Sequence, residues 1–216
     1  GKPKSEHSLL EDVTVTRWKD GKYITLEKQT LPIGPKAKKS FTYFTNIVVG
    51  DYHYFRSFSG FLIGRIQLST GKVEYLQVPV QIVRKKDQPE ETLWSKHLPN
   101  DMKTANGFMA TQDKRNAGNG WGHVTAAPPI VVGNYIYWPT MVGMVYVIDS
   151  TSKNLDASSI AGLSDLGLAG QTWSLSSLSF SDGKLYARTL KELICFEKWS
   201  HSNSKYYETS PNYVSP

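Results

Sequence analysis

Two tryptophans stand in polar, small-residue stretches directly ahead of apolar runs: Trp121 in Gly-Asn-Gly-Trp-Gly-His (118–123) and Trp173 in Gly-Gln-Thr-Trp (170–173). An indole beside a hydrogen-bonding side chain can stack a flat or sugar-like ligand while the polar group orients it. His123 supplies that group next to Trp121, and Gln171 supplies it next to Trp173. Both indoles also suit plain packing, because a large aromatic buries well and needs one hydrogen-bond partner. His123 has no second His, Cys or carboxylate at ligand spacing, so it reads as a structural histidine rather than a base or metal ligand. No metal site and no catalytic residue is assigned. The glycines at 118, 120 and 122 neither follow a clear strand nor open a helix, so they make no dinucleotide fingerprint. The chain has no Gly-x-Ser-x-Gly elbow and no His-Glu-x-x-His pair.

Each tryptophan leads into a three-strand pattern. From Trp121 to Asp149 the chain gives a strand (129–132), a Gly133-Asn134 turn, a second strand (135–138), a Val142-Gly143 turn and a third strand (144–149). The pattern occurs again from Ile47, in IVVGDYHYFRSFSGFLIGRIQL, and from Leu178, in LSFSDGKLYARTLKELICFEK. Short alternating strands joined by Gly-containing turns make an antiparallel meander. Tyr54, Tyr137 and Tyr186 occupy matching places in the three copies. The step from Tyr137 to Tyr186 is close to the roughly 40 to 50 residues of a propeller repeat. The step from Tyr54 to Tyr137 is much longer, and the excess falls in the polar segment 85–120.

The fold class is therefore all-β: a partial β-propeller of about three to four four-stranded antiparallel blades. Residues 1–40 read as the outer hairpin of a preceding blade plus a loop, 41–84 as a blade with its fourth strand over 72–83, and 85–120 as an inserted loop excursion. Residues 121–170 form a second blade, with an outer strand expected over 150–159 and a helical turn within 160–170. Residues 171–216 form a third blade and tail.

The 216 residues carry 25 Lys and Arg against 19 Asp and Glu, and the excess is scattered. A nucleic-acid footprint would concentrate that charge and interleave it with stacking aromatics, so no nucleic-acid partner is expected. No apolar run approaches the roughly 20 residues that cross a bilayer, so no membrane span is expected. The single Cys195 lies in the apolar run Leu193-Ile194-Cys195-Phe196, where a buried, inert thiol is the expectation. Arg56 and Arg188 end the second strands of their copies, where solvated ion pairs are expected.

The Val-Val-Gly-Asp/Asn and Phe-Ser-Asp-Gly turns, the aromatic second strands and the apolar third strands ending in Asp149 or Glu197 resemble quinoprotein-like propellers of the pyrroloquinoline-quinone-type repeat. The resemblance covers roughly 41–84 and 121–198. It implies one of two activities. The first is a non-catalytic binding or scaffold module, which would present the face where the chain enters each inner strand to a protein or carbohydrate and would hold no cofactor. The alternative is a quinone-dependent dehydrogenase oxidising an alcohol or sugar, with pyrroloquinoline quinone and calcium and with Trp121 or Trp173 stacking the quinone. The six tryptophans do not recur at one blade position and the adjacent-cysteine pair of some such enzymes is missing, which favours the first. A weaker third reading is a hydrolase or lyase using 85–120 as a lid. The resemblance also implies a periplasmic or secreted protein. Three copies plus a half-copy, opening on Gly1, predict a fragment of a larger propeller, closed by missing blades or by a second chain.

Overall fold

The computed structural model describes residues 8–32, 46–57, 61–84, 87–98, 103, 106–107 and 127–196. These residues are all-β apart from one 3-10 turn, Ala157–Ser159. Sheet one runs in the order β2-β1-β6-β5-β4-β3, from β1 (Val13–Lys19), β2 (Lys22–Gln29), β3 (Ile47–Val49), β4 (Tyr52–Arg56), β5 (Leu62–Gln67) and β6 (Val73–Gln77). A two-stranded ribbon follows, β7 (Gln81–Val83) with β8 (Glu91–Leu93). Sheet two is β12-β11-β10-β9, from β9 (Ile130–Val132), β10 (Tyr135–Pro139), β11 (Met144–Asp149) and β12 (Ile160–Asp165). Sheet three is β13-β14-β15, from β13 (Ser179–Ser181), β14 (Lys184–Arg188) and β15 (Leu193–Phe196).

The turn chemistry explains why these stretches are hairpins. Asp20-Gly21 and Asp182-Gly183 both hold positive φ at the two central positions, the backbone that matches the right-handed twist of paired strands. The three tyrosines then share one register. Tyr54 lies opposite Ile47 and Arg65, Tyr137 opposite Ile130 and Val147, and Tyr186 opposite Ser179 and Cys195.

Strand alternation gives each sheet two apolar faces, and the sheets stack through them. Tyr54, Ile63 and Leu76 of sheet one pack with Ile136, Trp138, Tyr146 and Ile148 of sheet two. The other face of sheet two, Tyr137, Val145 and Val147, packs with Leu185 and Ala187 of sheet three. The far face of sheet one, Val13, Val15, Phe55, Leu62, Val73 and Tyr75, is covered by Leu31, with Leu9 and Leu10 against it.

Several expectations are corrected. The leading hairpin does not stand outside a preceding sheet; β1 pairs in parallel with β6 and extends sheet one. The expected strand over 72–83 divides at Pro79, which has no N–H to donate to a ladder. Its second part becomes β7 and pairs with β8, inside the segment read as a loop excursion. The outer strand of sheet two lies at Ile160–Asp165 rather than over 150–159. Asp149 and Asp156 bond locally to the amides of Thr151 and Ser158, and such Asx turns compete with a ladder. Cys195 is exposed, not buried. Only Ile194 and Phe196 of that run reach sheet two, and Cys195 alternates to the opposite face. Arg56 is fully buried, because the end of β4 is pressed against sheet two.

Two arginines join sheet one to sheet two. Arg65 Nε donates to Glu74 Oε2 at 2.7 Å, within sheet one. Its other nitrogens reach across, Nη1 to the Ser152 carbonyl at 2.9 Å and Nη2 to the Lys153 carbonyl at 2.7 Å. The guanidinium also lies 4.2 Å from the Tyr52 ring centroid. Arg56 Nη2 donates to the Pro139 carbonyl at 2.8 Å, with its guanidinium 5.0 Å from the Trp138 ring centroid. Burial pushes the Arg56 pKa down, to about 9, which still leaves it charged at neutral pH. Removing Arg65 leaves the buried Glu74 carboxylate with Lys72, at 3.0 Å, as its remaining cation. It also takes the donor from the Ser152 and Lys153 carbonyls, a combined cost of about 3–5 kcal/mol. Arg65→Ala is therefore expected to lower the unfolding free energy by that amount in urea denaturation. A loss below about 1 kcal/mol would show that the sheets hold together by apolar packing alone.

Candidate functional site

The ends of β4, β10 and β14 lie at one end of the stack, where three loops are tied together. The β10–β11 turn is closed by Thr140, whose amide donates to the Met144 carbonyl at 2.7 Å and whose Oγ1 accepts from the Met144 amide at 3.0 Å. The segment leading into β13 bonds to that turn, Ser174 N to the Met141 carbonyl at 2.9 Å. It also bonds to the β14–β15 turn, Leu190 N to the Trp173 carbonyl at 2.9 Å, and Ser174 Oγ donates to the Arg188 carbonyl at 2.5 Å. Past β12, Leu166 N donates to the Gly143 carbonyl at 2.8 Å.

Thr172 holds the centre of this rim. A Cβ on Gly143 would lie 2.7 Å from Thr172 Cγ2, and one on Gly167 would lie 2.7 Å from Thr172 Oγ1. Both glycines have positive φ, +90° and +145°, so they supply a backbone conformation and a clearance that other residues lack. Thr172 Oγ1 donates to the Leu168 carbonyl at 3.1 Å. The threonine thus sits between two bare backbones, with Gln171 and Trp173 fixed on either side.

Of the four residues singled out in the sequence, the structure places two. Trp173 is 2% exposed and belongs to the core between sheets one and two, with Tyr54, Phe61, Trp138 and Met141. Its ring is turned inward. Gln171 is exposed on the rim, its amide bonded to the Leu168 carbonyl at 3.0 Å. Trp121 and His123 lie outside the described residues, so they are not brought together with the other two here. Of the paired arginines, Arg188 is exposed while Arg56 is buried.

The sequence reading passed over three leucines on these loops. Leu168 and Leu175 are each 59% exposed and Leu190 is 41% exposed. Leu168 accepts from Gln171 and Thr172, Leu190 is bonded to Trp173, and Leu175 follows Ser174. The available signal was their position: each is a large apolar residue in a loop rather than at a strand's inward position. Isolated exposed leucines are ordinary; these three lie on loops that hydrogen bonds tie together.

Asp165, at the end of β12, pairs with Arg84, which also holds Glu90 at 2.8 Å. Burial pushes the Asp165 carboxyl above its usual 3.8, against the opposing pull of Arg84. No group of three His, Cys, Asp or Glu side chains suited to a metal occurs among the described residues.

Comparison with known proteins adds little. No family model matches the chain, and no curated protein matches it. Among solved structures it is similar to BamB from Moraxella catarrhalis, at 17% identity and TM-score 0.26 over 70% of this chain and 41% of that one. The computationally designed Ika4 protein gives 11% identity and TM-score 0.27 over 70% of this chain and 88% of that one. The designed Ika8 protein gives 10% and 0.26 over 89% and 56%. The chain spans less than half the length of the BamB structure, and likeness at these TM-scores carries no argument.

Two measurements check the rim. Gly143→Ala forces a side chain into left-handed backbone and into Thr172, which together cost about 2–4 kcal/mol. The expected outcome is a lower urea midpoint together with faster amide exchange at Ser174; unchanged exchange would mean that the loops are not coupled. For Asp165 the folded state holds the proton more tightly than the unfolded chain does. The stability from that proton is complete below about pH 3.8 and is lost as pH rises through the raised folded value. Asp165→Asn removes this titration, and with it the stability that protonation adds as pH falls, so stability is expected to drop more steeply towards acid pH than in the wild type. An unaltered limb would locate the titration elsewhere.

Proposed function

We propose that the chain is a non-catalytic β-propeller binding module that uses the loop rim of sheets two and three to hold a protein. The observation carrying this is the exposure of Leu168, Leu175 and Leu190 on loops locked by Thr172, Trp173 and Ser174. A rigid apolar surface loses little conformational entropy when a partner covers it, which favours protein association. A ligand that stacks would need an open ring, and Trp173 turns its ring into the core. That weighs against a carbohydrate or a quinone at this part of the rim. Trp121 and His123 remain the proposed polar and aromatic contribution from the approach to β9, with Gln171 beside them in role. No cofactor is proposed.

No helix among the described residues is long and apolar enough to cross a membrane. We place the module in the periplasm or outside the cell, in keeping with the repeat grammar of the sequence.

The test compares immobilised wild type with Leu175→Asp/Leu190→Asp, identifying retained proteins by quantitative mass spectrometry. Full burial of a leucine is worth about 1.5–3 kcal/mol, or roughly tenfold or more in affinity. The double variant should therefore retain the partner at least about a hundredfold less well, with an unchanged melting temperature. Equal retention by both proteins would remove the rim from the binding site. In parallel, titration with pyrroloquinoline quinone and calcium is expected to give no saturable absorbance change. A saturable change would move the chain to the quinone-dependent dehydrogenase reading.

A further inference from the structure

The shared register of Tyr54 and Tyr137 makes β6 and β12 equivalent fourth strands of sheets one and two. Their closing bonds agree: Val78 N donates to the Phe61 carbonyl at 3.0 Å, and Leu166 N to the Gly143 carbonyl at 2.8 Å. Hydrogen-bonded and non-hydrogen-bonded pairs alternate along an antiparallel ladder. Counting back from each closing bond, Tyr75 and Gln77 turn their backbone N–H and C=O groups away from β5, and Leu163 and Asp165 turn theirs away from β11. In sheet one those outward groups meet β1, with Val15 opposite Tyr75 and the Trp18 amide donating to Gln77 Oε1 at 3.1 Å. In sheet two, β12 pairs with β11 alone among the described residues.

We propose that the open edge of β12 is a docking slot for an extended segment of a partner protein, which adds to sheet two in parallel as β1 adds to sheet one. Three observations select that edge and that occupant. The first is that Ile160–Ser164 carries neither a charged residue nor a proline, the devices that keep natural edges from pairing. The longer edge strand β2 carries Lys22, Glu27 and Lys28, the last at φ +52°, and β3, β9, β13 and β15 are three or four residues long. The register shift in the β11–β12 ladder precedes Gly162 and leaves Leu163 to Asp165 in step. The second is that Asp165 stands where Gln77 stands, so a side-chain oxygen again lies at the end of the slot, oriented by Arg84 and the Gly167 amide. The third is that Leu163 packs against the core between sheets one and two, so the residue set opposite it is apolar, as Val15 is opposite Tyr75. The partner segment is therefore extended, apolar at that residue, and free at the amide three positions on, which donates to Asp165 as Trp18 donates to Gln77. Main-chain pairing gives such a strand its affinity, and the contacts at alternate side chains give it sequence preference.

This contact does not depend on the leucine rim or on any protein held there. The test titrates isotopically labelled full chain with a synthetic peptide of residues 12–19, the strand that fills the equivalent edge of sheet one, and follows the backbone amides by NMR. The Leu163 amide should shift saturably and exchange with solvent at least about tenfold more slowly at saturation. A spin label at the peptide C-terminus should broaden Asp165 and Leu166 more than Ile160, as parallel addition requires. Methylating the peptide nitrogen at Thr16 removes the donor to the Leu163 carbonyl and should weaken binding roughly tenfold. No saturable shift at Leu163 overturns the proposal. Shifts confined to Thr14 and Tyr75 also overturn it, because the peptide has then displaced β1. So does equal binding by the methylated peptide, or broadening at Ile160 in place of Asp165. Protection of Leu163 that rises with protein concentration in the absence of peptide gives the edge to a second copy of the chain and overturns it as well.

Discussion

The structure depends on keeping sheets one and two face to face while a full positive charge lies in the seam. Arg65 makes this possible because each of its nitrogens has an assigned acceptor: a carboxylate in its own sheet and two carbonyls on the turn after β11. Apolar contact alone would let two sheets slide, since it is not directional. A guanidinium bound to fixed carbonyls sets both the spacing and the offset. Arg56 does the same at the opposite end of the seam, reaching the Pro139 carbonyl beside the Trp138 ring. The stack is thus held at two points, and the aliphatic and aromatic residues fill what lies between.

What the sequence disclosed follows from the range of each cause. Turns are local, so Asp20-Gly21, Gly133-Asn134 and Asp182-Gly183 announce themselves, and the tyrosine register follows from the turns. Faces are less local. The run Leu193 to Phe196 is apolar throughout, yet only alternate residues meet sheet two, and nothing in the run says that a neighbour covers one side only. Arg56 and Arg65 look like surface arginines until the chain 83 or more residues further on supplies their acceptors. Pro79 was a readable signal for the end of β6. The small residues of Ile160 to Gly170 resemble a helical turn in composition, but pairing with β11 makes their first half a strand. Of the proposed rim, Trp173 and Gln171 were readable in the sequence, while Thr172 between two glycines, and the exposure of the three leucines, needed the fold.

The rim and the seam are one construction. The indole of Trp173 is spent on the core between sheets one and two, and its backbone carbonyl anchors the β14–β15 turn. A change in how sheets one and two meet would therefore be transmitted to the loops that carry Leu168, Leu175 and Leu190. This is a contiguous chain of packed groups and hydrogen bonds, the physical kind of link through which distant positions influence each other.

The parallel pairing of β1 with β6 has a consequence for the time course of folding. The Trp18 amide meets its acceptor, Gln77, across 59 residues, whereas β3 to β6 pair through short turns. Loop-closure entropy makes such a remote contact late. On a ribosome adding about 5–20 residues per second, the leading hairpin would wait roughly 3–12 s for the strand that receives it. Val13 and Val15 stay uncovered for that interval, so the leading ribbon offers a chaperone an apolar face.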